Sequence, residues 1–226
     1  SAVIPAKTLI PIPEDIKDED AVALLLQGMT AHYLTRNTYE VKPGDTAVVH
    51  SAAGGVGLLL TRYIKSLGGR VIATASTEEK RAIAIAAGAD LAINYEEFSK
   101  PVKEFTNGIG ANVIYDGVGK DTFDEGLLAI QRRGTLAVFG AASGQVIPIE
   151  IMKISAGSIF LTRPTLADYV AERSELLWRA NEVFEAFRRG HMQVAIGGRH
   201  PLADAASAHR ELETRQSSGK LILQVR

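Results

Sequence analysis

The sequence predicts an α/β fold, a Rossmann-type doubly wound parallel sheet with helices on both faces, followed by a C-terminal helix-strand tail. Three observations lead to this fold class. Short β-branched runs alternate with helical apolar patterns along most of the chain, a glycine-rich turn links the first strand to a helix, and small residues follow most of the strands.

The composition is that of an ordinary globular protein, and it argues against several classes of partner and site. The 226 residues are 46% hydrophobic and 23% charged, with a net charge of −1. A charge so close to neutral argues against nucleic acid or an anionic membrane as the main partner, and no apolar run approaches the length of a membrane span. Cysteine is absent, which excludes disulfides, thiolate metal sites and cysteine nucleophiles and fits a cytoplasmic protein.

Before the glycine-rich turn, the sequence predicts a linker and two helical stretches. Residues 1–17 are short apolar pieces broken by three prolines. Three acidic residues then open a helix over 18–27, residues 28–30 interrupt it, and the helical pattern resumes over 31–38. A turn at 41–45 leads into the first strand.

Residues 46–76 form the unit around which the chain is organised. A β-branched strand over 46–50 runs into the glycine turn, a helix follows, two glycines end this helix, and a second strand covers 70–74. The apolar stripe of the helix has the spacing of a buried face and consists of Val56, Leu59, Leu60, Tyr63, Ile64 and Leu67. A parallel βαβ unit with glycines at its first β-to-α junction is the dinucleotide-binding arrangement.

The glycine turn suits a pyrophosphate for a local reason. The first backbone N–H groups of a helix have no intrahelical partner, and the helix dipole is positive there. Gly54 lets the backbone approach the pyrophosphate, and Gly57 lets the helix pack closely on the strand. Ala52 stands at the first glycine of the usual G-x-G-x-x-G pattern, a mild departure. We therefore expect this turn to bind a dinucleotide.

The end of the second strand indicates which dinucleotide. NAD-specific sites place Asp or Glu there to hold the ribose 2′-OH, whereas this chain has no carboxylate before Glu78. Ser76 and Lys80 supply a hydroxyl and a cation, which would bind a 2′-phosphate, so the sequence favours NADP(H) over NAD. Ser76 also fits a structural role, as the N-cap of the next helix in a capping box with Glu79, and both roles can hold at once.

The α/β alternation continues to residue 164. Further helices are predicted at 77–87, 97–105 and 123–131, and further strands at 91–94, 112–116, 135–139 and 158–161. The tail is predicted to contain a helix at 168–189, a strand at 192–196, a helix at 204–214 and a final strand at 221–225. Because ligands bind at the carboxyl ends of such parallel strands, we expect the site in the loops that follow them.

The long tail helix is predicted to be amphipathic. Its inward face would consist of Tyr169, Leu176, Leu177, Ala180, Val183, Phe184 and Phe187. Its outward face would carry solvated charges with i,i+3 and i,i+4 partners, at Arg173, Glu175, Arg179, Glu182, Glu185 and Arg188.

A set of short motifs resembles a known family over nearly the whole chain. The motifs are HSAAGGVG at 50–57, INY at 93–95, YDGVG at 115–119, VFGAASG at 138–144, FLTRPTL at 160–166, HPLADAASAH at 200–209 and GKLIL at 219–223. Their order and spacing resemble the zinc-independent quinone oxidoreductases, the zeta-crystallin-like branch of the medium-chain dehydrogenase/reductase superfamily.

The resemblance implies an activity, a cofactor and an organisation. The activity would be NADPH-dependent reduction of quinones or α,β-unsaturated carbonyls, with a small-molecule acceptor and a homodimer formed through the edge strand near 158–162. Residues 1–17 would be the remnant of a GroES-like catalytic domain and its linker, 18–164 the NADP-binding domain, and 165–226 a C-terminal return segment. The chain without the GroES-like domain would be weakly active or inactive.

The resemblance also assigns cofactor contacts by position. The pyrophosphate would be held by Ala53, Gly54, Gly55 and Val56, with Gly57 packing the helix; the adenine ribose phosphate would be held by Ser76, Lys80 and Tyr95. The nicotinamide half would lie along Asp116, Phe139 and Ser143, with Met29 and Thr30 at the same end. Leu161 and Arg163 would flank the nicotinamide or the substrate mouth, and Lys220 would reach the cofactor from the tail.

Structural alternatives remain open for several of these residues. Tyr95 could pack at an edge, Lys80 could be a solvated helix charge, Asp116 could cap the turn after its strand, and Arg163 could be a surface ion-pair partner. His50, at a strand end, is expected to pack rather than to catalyse. The five histidines lack metal-ligand spacing, and no Ser-His-Asp arrangement is readable, so no metal ligand or catalytic residue is assigned.

Two other functions fit the same residues. The chain could be the enoyl reductase domain of a polyketide or fatty-acid synthase, which would act on carrier-bound enoyl chains. It could also be a non-catalytic dinucleotide-binding module, which would bind the cofactor without turnover.

Overall fold

The computed structural model describes residues 3–214 and 217–225, and a parallel six-stranded sheet lies at its centre. The strands are β1 (Thr46–Val49), β2 (Arg70–Thr74), β3 (Leu91–Ile93), β4 (Ala111–Asp116), β5 (Ile130–Val138) and β6 (Phe160–Thr162). Their order in the sheet is β3-β2-β1-β4-β5-β6, and every neighbouring pair is parallel. The order reverses between β1 and β4, so the ligand-binding crevice of this topology lies at the carboxyl ends of those two strands.

Helices cover both faces of the sheet, which confirms the predicted fold class. They are α1 (Asp18–Tyr33), α2 (Gly55–Ser66), α3 (Glu78–Ala86), α4 (Ser99–Phe105), α5 (Phe123–Ala129), α6 (Arg173–Arg188) and α7 (Ala205–Glu213). Alternate residues of β1 point to opposite faces: Ala47 and Val49 join the core formed with α1, α2 and α6, whereas Val48 joins the core beneath α4 and α5. The β-branched run at 46–50 is therefore buried on both sides, as a central parallel strand should be.

The first helix does not break where the sequence indicated. The predicted interruption at 28–30 is wrong, because α1 is continuous and ends only at Tyr33, where a π-helical turn, Leu34–Thr38, follows. Gly28 has a packing role instead. A Cβ at this position would lie 2.7 Å from Cγ1 of Val183, so the glycine lets α6 approach α1 closely.

The C-terminal segment packs into the core of the sheet domain. A 3₁₀ turn, Leu166–Val170, precedes α6, so the helix proper begins later than the predicted residue 168. Five residues of α6, together with Met192 after it, are buried in the same core cluster as β1 and α2: Leu176, Ala180, Val183, Phe184 and Ala186. The division of the chain at residue 164 stays a prediction.

One predicted surface charge is buried. Arg179, expected on the solvated face of α6, has a fully buried side chain at the α1–α6 contact. Its guanidinium donates to Nδ1 of His32 at 2.8 Å, to Oδ1 of Asn37 at 2.9 Å and to Oε1 of Glu175 at 2.8 Å. The cation is tolerated because these acceptors, and the carbonyl oxygen of Tyr169 at 3.1 Å, satisfy its donors.

A small second sheet lies in the tail. β7 (Ile196–Pro201) and β8 (Lys220–Gln224) pair in parallel, and α7 lies between them in the chain. The bounds predicted for the first of these strands, 192–196, are wrong. The N–H groups of His191 and Met192 bond to the carbonyl oxygen of Ala186 at the end of α6, and Met192 is fully buried, so the extended segment starts only at Ile196.

The remaining boundaries shift by a few residues. The strand predicted at 135–139 starts earlier, because α5 ends at Ala129 and β5 begins at once. The strand predicted at 158–161 begins only at Phe160, because Ser158 has a left-handed backbone conformation at the end of a 3₁₀ turn. No helix in the described part of the chain is long and apolar enough to cross a bilayer.

Candidate functional site

The glycine turn connects the carboxyl end of β1 to the start of α2. Ser51 has a left-handed backbone with φ of 52°, and its carbonyl oxygen accepts the N–H of Gly54 at 2.9 Å, which closes the turn. Gly54 is the N-cap of α2, and no side chain caps the helix. The free N–H groups and positive dipole end at this point fit an anionic group such as a pyrophosphate.

The glycines of the turn have different roles. A Cβ on Gly57 would collide with the carbonyl oxygen of Ser51 and lie 2.6 Å from Cα of Ala52, so only glycine allows the helix to pack on its own turn. A Cβ on Gly54 would lie 3.1 Å from the same oxygen. A Cβ on Gly55 would collide with the side-chain amide of Gln27 on α1. The space beside Gly55 is thus filled by the protein itself.

A cavity of about 360 Å³ opens beside this turn at the carboxyl ends of the strands. It brings together five of the residues that the sequence assigned to the cofactor, Ala53, Gly54, Ser76, Lys80 and Tyr95. Seven lining residues had no predicted role: Ser51, Ala75, Val118, Asp121, Thr122, Ala142 and Ser217. All but Ser217 lie in the loops after β1, β2 and β4 or in the loop 140–144, where the topology rule places ligand contacts.

Ser76 does not cap α3. The N-cap is Thr77, whose Oγ1 accepts the N–H of Lys80 at 3.3 Å, so the predicted capping box with Ser76 and Glu79 is wrong. The side chain of Ser76 is instead exposed at the cavity wall. This leaves the hydroxyl available to a ligand.

Tyr95 and His50 lie beside the glycine turn and help to hold its position. The hydroxyl oxygen of Tyr95 accepts the backbone N–H of Ser51 at 3.0 Å, so Tyr95 both lines the cavity and fixes the turn. His50 is buried, with Nδ1 2.7 Å from Oγ1 of Thr74 and its ring against Phe98. Burial lowers the pKa of His50 to about 4 against the opposing effect of Asp116, so the ring is neutral at pH 7 and packs, as the sequence indicated.

The carboxylate of Asp116 caps its own turn, which was the structural alternative. Its Oδ1 accepts the N–H groups of Val118 at 2.7 Å and Gly119 at 2.9 Å, and its Oδ2 accepts the hydroxyl of Thr122 at 2.8 Å. The side chain is fully buried and its carboxylate is engaged in the loop, so the contact to the nicotinamide half stays a prediction. Its role here is to fix the loop that carries Val118 and Thr122 into the cavity wall.

Ser143 and Phe139 hold the loop after β5. The hydroxyl of Ser143 donates to the carbonyl oxygen of Val118 at 2.9 Å and accepts the N–H of Asp121 at 3.0 Å. The half-buried ring of Phe139 lies against Gly117, where a Cβ would stand 3.0 Å from Cζ. These contacts join the loops after β4 and β5 into one wall.

A second cavity of about 560 Å³ follows along the same edge of the sheet. Leu161 and Arg163 line it together with apolar residues of β5 and the loop after it, among them Val138, Val146 and Ile149. Arg163 donates to the carbonyl oxygen of Pro164 at 3.3 Å. Met29 and Thr30 line neither cavity: both are buried in α1, where the hydroxyl of Thr30 donates to the carbonyl oxygen of Leu26 at 2.8 Å.

The tail docks onto the glycine turn. The N–H of Gly219 donates to the carbonyl oxygen of Ala53 at 3.2 Å, and Gly54 and Gly219 form a parallel bridge. Lys220 lies in the adjoining crevice with Gln27 and Gly55. Sequence reasoning placed Lys220 near the cofactor but missed Gly219, although a glycine at the start of the GKLIL motif was a signal for a constrained backbone.

The described residues contain no group of three or more His, Cys, Asp or Glu side chains arranged to hold a metal ion. The polar groups of the two cavities are hydroxyls, backbone amides and a few charged side chains. Such a set binds and orients an anionic ligand; the chemistry of a reaction would come from a cofactor.

A family profile and related protein sequences both match this chain to dehydrogenases and reductases. A profile described as zinc-binding dehydrogenase matches residues 55–180. A 2-haloacrylate reductase of a Burkholderia species is 40% identical over 225 residues, which cover 97% of this chain and 68% of the relative. The quinone oxidoreductase of Pseudomonas aeruginosa is 40% identical over 224 residues, covering 98% of this chain and 69% of the relative.

Solved structures agree with these sequence matches. A mycobacterial protein complexed with NADPH superposes with a TM-score of 0.92 at 47% identity, over 94% of this chain and 66% of that chain. The Escherichia coli quinone oxidoreductase complexed with NADPH gives a TM-score of 0.90 at 40% identity, over 94% of this chain and 67% of that chain. The chain thus spans about two thirds of the length of these relatives.

Proposed function

The chain belongs to the zinc-independent quinone oxidoreductase family of the medium-chain dehydrogenases/reductases, and we propose that it is the NADPH-binding part of an enzyme that reduces quinones or α,β-unsaturated carbonyls. The observation that carries the proposal is the cavity beside the glycine turn. It joins the uncapped start of α2 to the exposed hydroxyl of Ser76 and to Lys80.

NADPH is favoured over NADH by the chemistry of this cavity. NAD-specific sites hold the ribose 2′-OH with a carboxylate at the end of the second strand, and an acid there would repel a 2′-phosphate. In this chain, that position offers Ser76, which is released from capping because Thr77 performs that role. Solved relatives complexed with NADPH support the same cofactor.

The residues of the chain would bind and orient the cofactor. The N–H groups at the start of α2 would hold the pyrophosphate, and the loops fixed by Asp116 and Ser143 would keep the wall of the cavity rigid. The apolar cavity next to Leu161 and Arg163 would exclude water from the nicotinamide end. NADPH, when bound, supplies the hydride that the reaction transfers.

The proposed acceptor is an electron-poor ring or alkene. Quinones accept a hydride readily and need little acid catalysis, which fits a site to which we assign no catalytic acid. For an α,β-unsaturated carbonyl, a proton must also reach the α-carbon, and water can supply it. The names of the relatives include both a quinone and an acrylate, which supports this pair of acceptor classes.

We also propose that the protein forms a homodimer through β6. This strand pairs with β5 and forms one edge of the sheet, and no other described strand pairs with it. Phe160 on this edge is 62% exposed and Leu161 is partly exposed, and an apolar edge of this kind needs a covering partner. Phe160→Lys should therefore shift the protein toward monomer in light scattering coupled to gel filtration.

We also propose a cytoplasmic location and a division of the chain into domains at residue 164.

Titration calorimetry with NADPH and NADH tests the cofactor proposal directly. We expect NADPH to bind at least about tenfold more tightly, which corresponds to one or two additional charge-assisted hydrogen bonds. Equal affinities would contradict the role of Ser76 and Lys80.

Steady-state reduction of a quinone and enone panel by the natural gene product then separates the functions: turnover supports the oxidoreductase, whereas binding without turnover supports a non-catalytic module. Preference for carrier-bound enoyl chains would instead support a synthase enoyl reductase.

A further inference from the structure

A third cavity, of about 850 Å³, lies at the edge of the sheet opposite the cofactor cavity. Its lining includes residues that come just before β4 and β6 and those that open β5, so it is placed at the amino ends of these strands. The other two cavities lie at the carboxyl ends. A ligand in the third cavity would therefore not contact a dinucleotide bound beside the glycine turn.

The floor of this cavity is apolar, and its rim leaves two large apolar side chains exposed. Ile130 is 5% exposed and belongs to the core beneath α4 and α5, and Leu127 and Ile159 pack against the same core. Leu128 and Ile109 at the rim are 61% and 65% exposed. A ligand with an apolar chain would cover both side chains, and the removal of such surface from water is favourable.

Positive charge is concentrated at the same cavity. Three of its lining side chains are cationic, Lys103, Arg132 and Lys153, and one is acidic, Asp124, whereas the whole chain has a net charge of −1. A carboxylate oxygen of Asp124 lies 3.5 Å from Nζ of Lys153, so these two charges balance each other. Lys103 and Arg132 remain as two cations that have no acidic partner among the residues that the structure describes.

The two remaining cations are both able to donate to a ligand. Nζ of Lys103 donates to the carbonyl oxygen of Ile109 at 3.2 Å, which keeps the ammonium group at the mouth of the cavity with further N–H donors to spare. The guanidinium of Arg132 donates to no other residue in 3–214 or 217–225. An arginine in this state offers two parallel N–H groups, which is the geometry that a carboxylate accepts best.

Hydrogen bonds and close backbone contacts fix the loop that forms the mouth. Oγ1 of Thr106 donates to the carbonyl oxygen of Val102 at 2.7 Å and accepts the N–H of Gly110 at 2.8 Å. A Cβ on Gly110 would lie 2.7 Å from the carbonyl oxygen of Ala129, so the loop lies directly against the junction of α5 and β5. The cavity is formed before any ligand binds, and this reduces the entropic cost of binding.

We propose that this cavity binds an amphipathic carboxylate, namely a fatty acid of medium or long chain. The carboxylate would accept hydrogen bonds from Arg132 and Lys103, and the acyl chain would cover Leu128 and Ile109 and reach Ile130. The volume lies within the usual range of small-molecule sites, about 300–1,000 Å³. The proposal does not depend on the cofactor, because the two sites lie at opposite edges of the sheet.

Titration calorimetry of the unsubstituted chain with dodecanoate tests the proposal. We expect a dissociation constant of about 100 µM or lower, and binding of octanoate at least about tenfold weaker, because octanoate buries fewer methylene groups. Dodecyltrimethylammonium has the same chain with a cationic head and should bind at least about tenfold more weakly than dodecanoate. Saturation with NADPH should leave the affinity for dodecanoate unchanged.

Two pairs of matched variants locate the site. Arg132→Asn should weaken dodecanoate binding by about five- to tenfold, through loss of a charge-assisted hydrogen bond. Arg133→Asn removes the same charge just outside the cavity, at a left-handed position that asparagine tolerates, and should leave the affinity within about twofold.

The second pair concerns the apolar rim. Leu128→Asn should weaken dodecanoate binding by about fivefold, because it removes a contact with the acyl chain. Leu26→Asn replaces a leucine of α1 that is 60% exposed, almost the same fraction as Leu128, and should not change the affinity. Circular dichroism with thermal melts confirms that each variant is folded.

Several outcomes would overturn the proposal. They are no binding of dodecanoate at about 1 mM, equal binding of dodecyltrimethylammonium, or an affinity that neither Arg132→Asn nor Leu128→Asn lowers. Competition between dodecanoate and NADPH would also overturn it, because the probe would then occupy the cofactor cavity. Dissociation of a dimer by dodecanoate, seen in light scattering, would show instead that a second copy of the chain covers this surface. None of these outcomes alters the comparison of NADPH with NADH that tests the proposed function.

Discussion

The N–H of Gly219 and the carbonyl oxygen of Ala53 form a hydrogen bond of 3.2 Å that joins the C-terminal tail to the glycine turn. The two residues are far apart in sequence, yet the bond places the tail at the wall of the proposed cofactor groove. The conformation of Gly219 is special, with φ of +70° and no room for a Cβ beside Ala195. The position of the tail should therefore depend on this glycine.

Gly219→Ala should release the tail from the turn. The added methyl group would collide with the carbonyl oxygen of Ala195, and an alanine at this φ carries additional strain. We expect a loss of about 2 kcal/mol in the free energy of unfolding and at least about a tenfold loss in NADPH affinity, measured by urea denaturation and calorimetry.

Gly108→Ala is the matched control for this substitution. Gly108 also has a positive φ, +84°, but no atom lies within 4 Å of the position that a Cβ would take. Its alanine variant should lose about 1 kcal/mol of stability and bind NADPH normally. Equal loss of NADPH affinity in the two variants would show that general destabilisation, and not the docking of the tail, causes the effect.

Two glycines of the turn should respond differently to alanine. In Gly57→Ala the methyl group meets backbone atoms of Ser51 and Ala52, which cannot move without opening the turn. In Gly55→Ala it meets only the end of the Gln27 side chain, which can rotate away. We expect Gly57→Ala to reduce NADPH affinity by about 30-fold or more and Gly55→Ala by less than about threefold.

Calorimetric titration with NADPH checks this pair, and a thermal melt of each variant reports folding. If Gly55→Ala were the more damaging change, the direct pyrophosphate contact assigned to Gly55 would gain support over its packing against Gln27.

Ser76 and Thr77 should separate cofactor selection from helix capping. Ser76→Asp should weaken NADPH relative to NADH by about tenfold or more without loss of stability, because Ser76 is exposed and caps nothing. Thr77→Ala should cost about 1 kcal/mol of stability through loss of the N-cap and leave the NADPH/NADH ratio unchanged. The reverse pattern in affinities and melting temperatures would restore the capping box that the sequence indicated.

Two buried histidines should make stability depend on pH between about 6.5 and 4. Burial lowers the pKa of His32, with Arg179 and Arg36 adding to the effect, and that of His50, opposed by Asp116, in each case from 6.5 to about 4. Below pH 6.5 the unfolded chain binds protons at these positions and the folded chain does not, so the free energy of unfolding falls as the pH is lowered. Each histidine contributes about 1 kcal/mol per pH unit, and above pH 6.5 the effect vanishes.

Urea denaturation of the wild type and of His50→Gln between pH 4.5 and 7.5 measures this contribution. The slope of the free energy of unfolding against pH should be smaller in His50→Gln by the share of one histidine, while carboxylate effects cancel in the comparison. Identical slopes would mean that His50 titrates alike in the folded and unfolded chains.

Local patterns predicted most of the framework. The stripe at Leu59, Leu60, Tyr63 and Ile64 faces the core as expected, because helical spacing of apolar residues leaves one face to bury. The repeated alternation of strands and helices predicted the parallel sheet. The motifs shared with the quinone oxidoreductase family predicted NADP(H) as the cofactor. Five of the twelve residues that line the first cavity were accessible in the same way, since loops at the carboxyl ends of parallel strands meet at one edge.

The errors arose where a distant segment determines the environment of a residue. Arg179 has the spacing of an exposed charge, but α1 brings His32 and Asn37 against it and turns it into a buried one. Gly28 resembles a helix break, yet it serves the approach of Val183 from α6. The capping error, by contrast, was local: Ser76 and Thr77 are equivalent caps by composition, and Thr77, which has an extended backbone, is the N-cap of α3.

The sequence by itself determined the doubly wound sheet, the glycine turn at its centre and the absence of an acid after the second strand, because each depends on residues close together in the chain. Only the tertiary structure decided that Gly219 bonds to Ala53 and that Arg179 is buried against His32. The physical reason is that these hydrogen bonds form between segments more than 100 residues apart, whose approach no local pattern encodes.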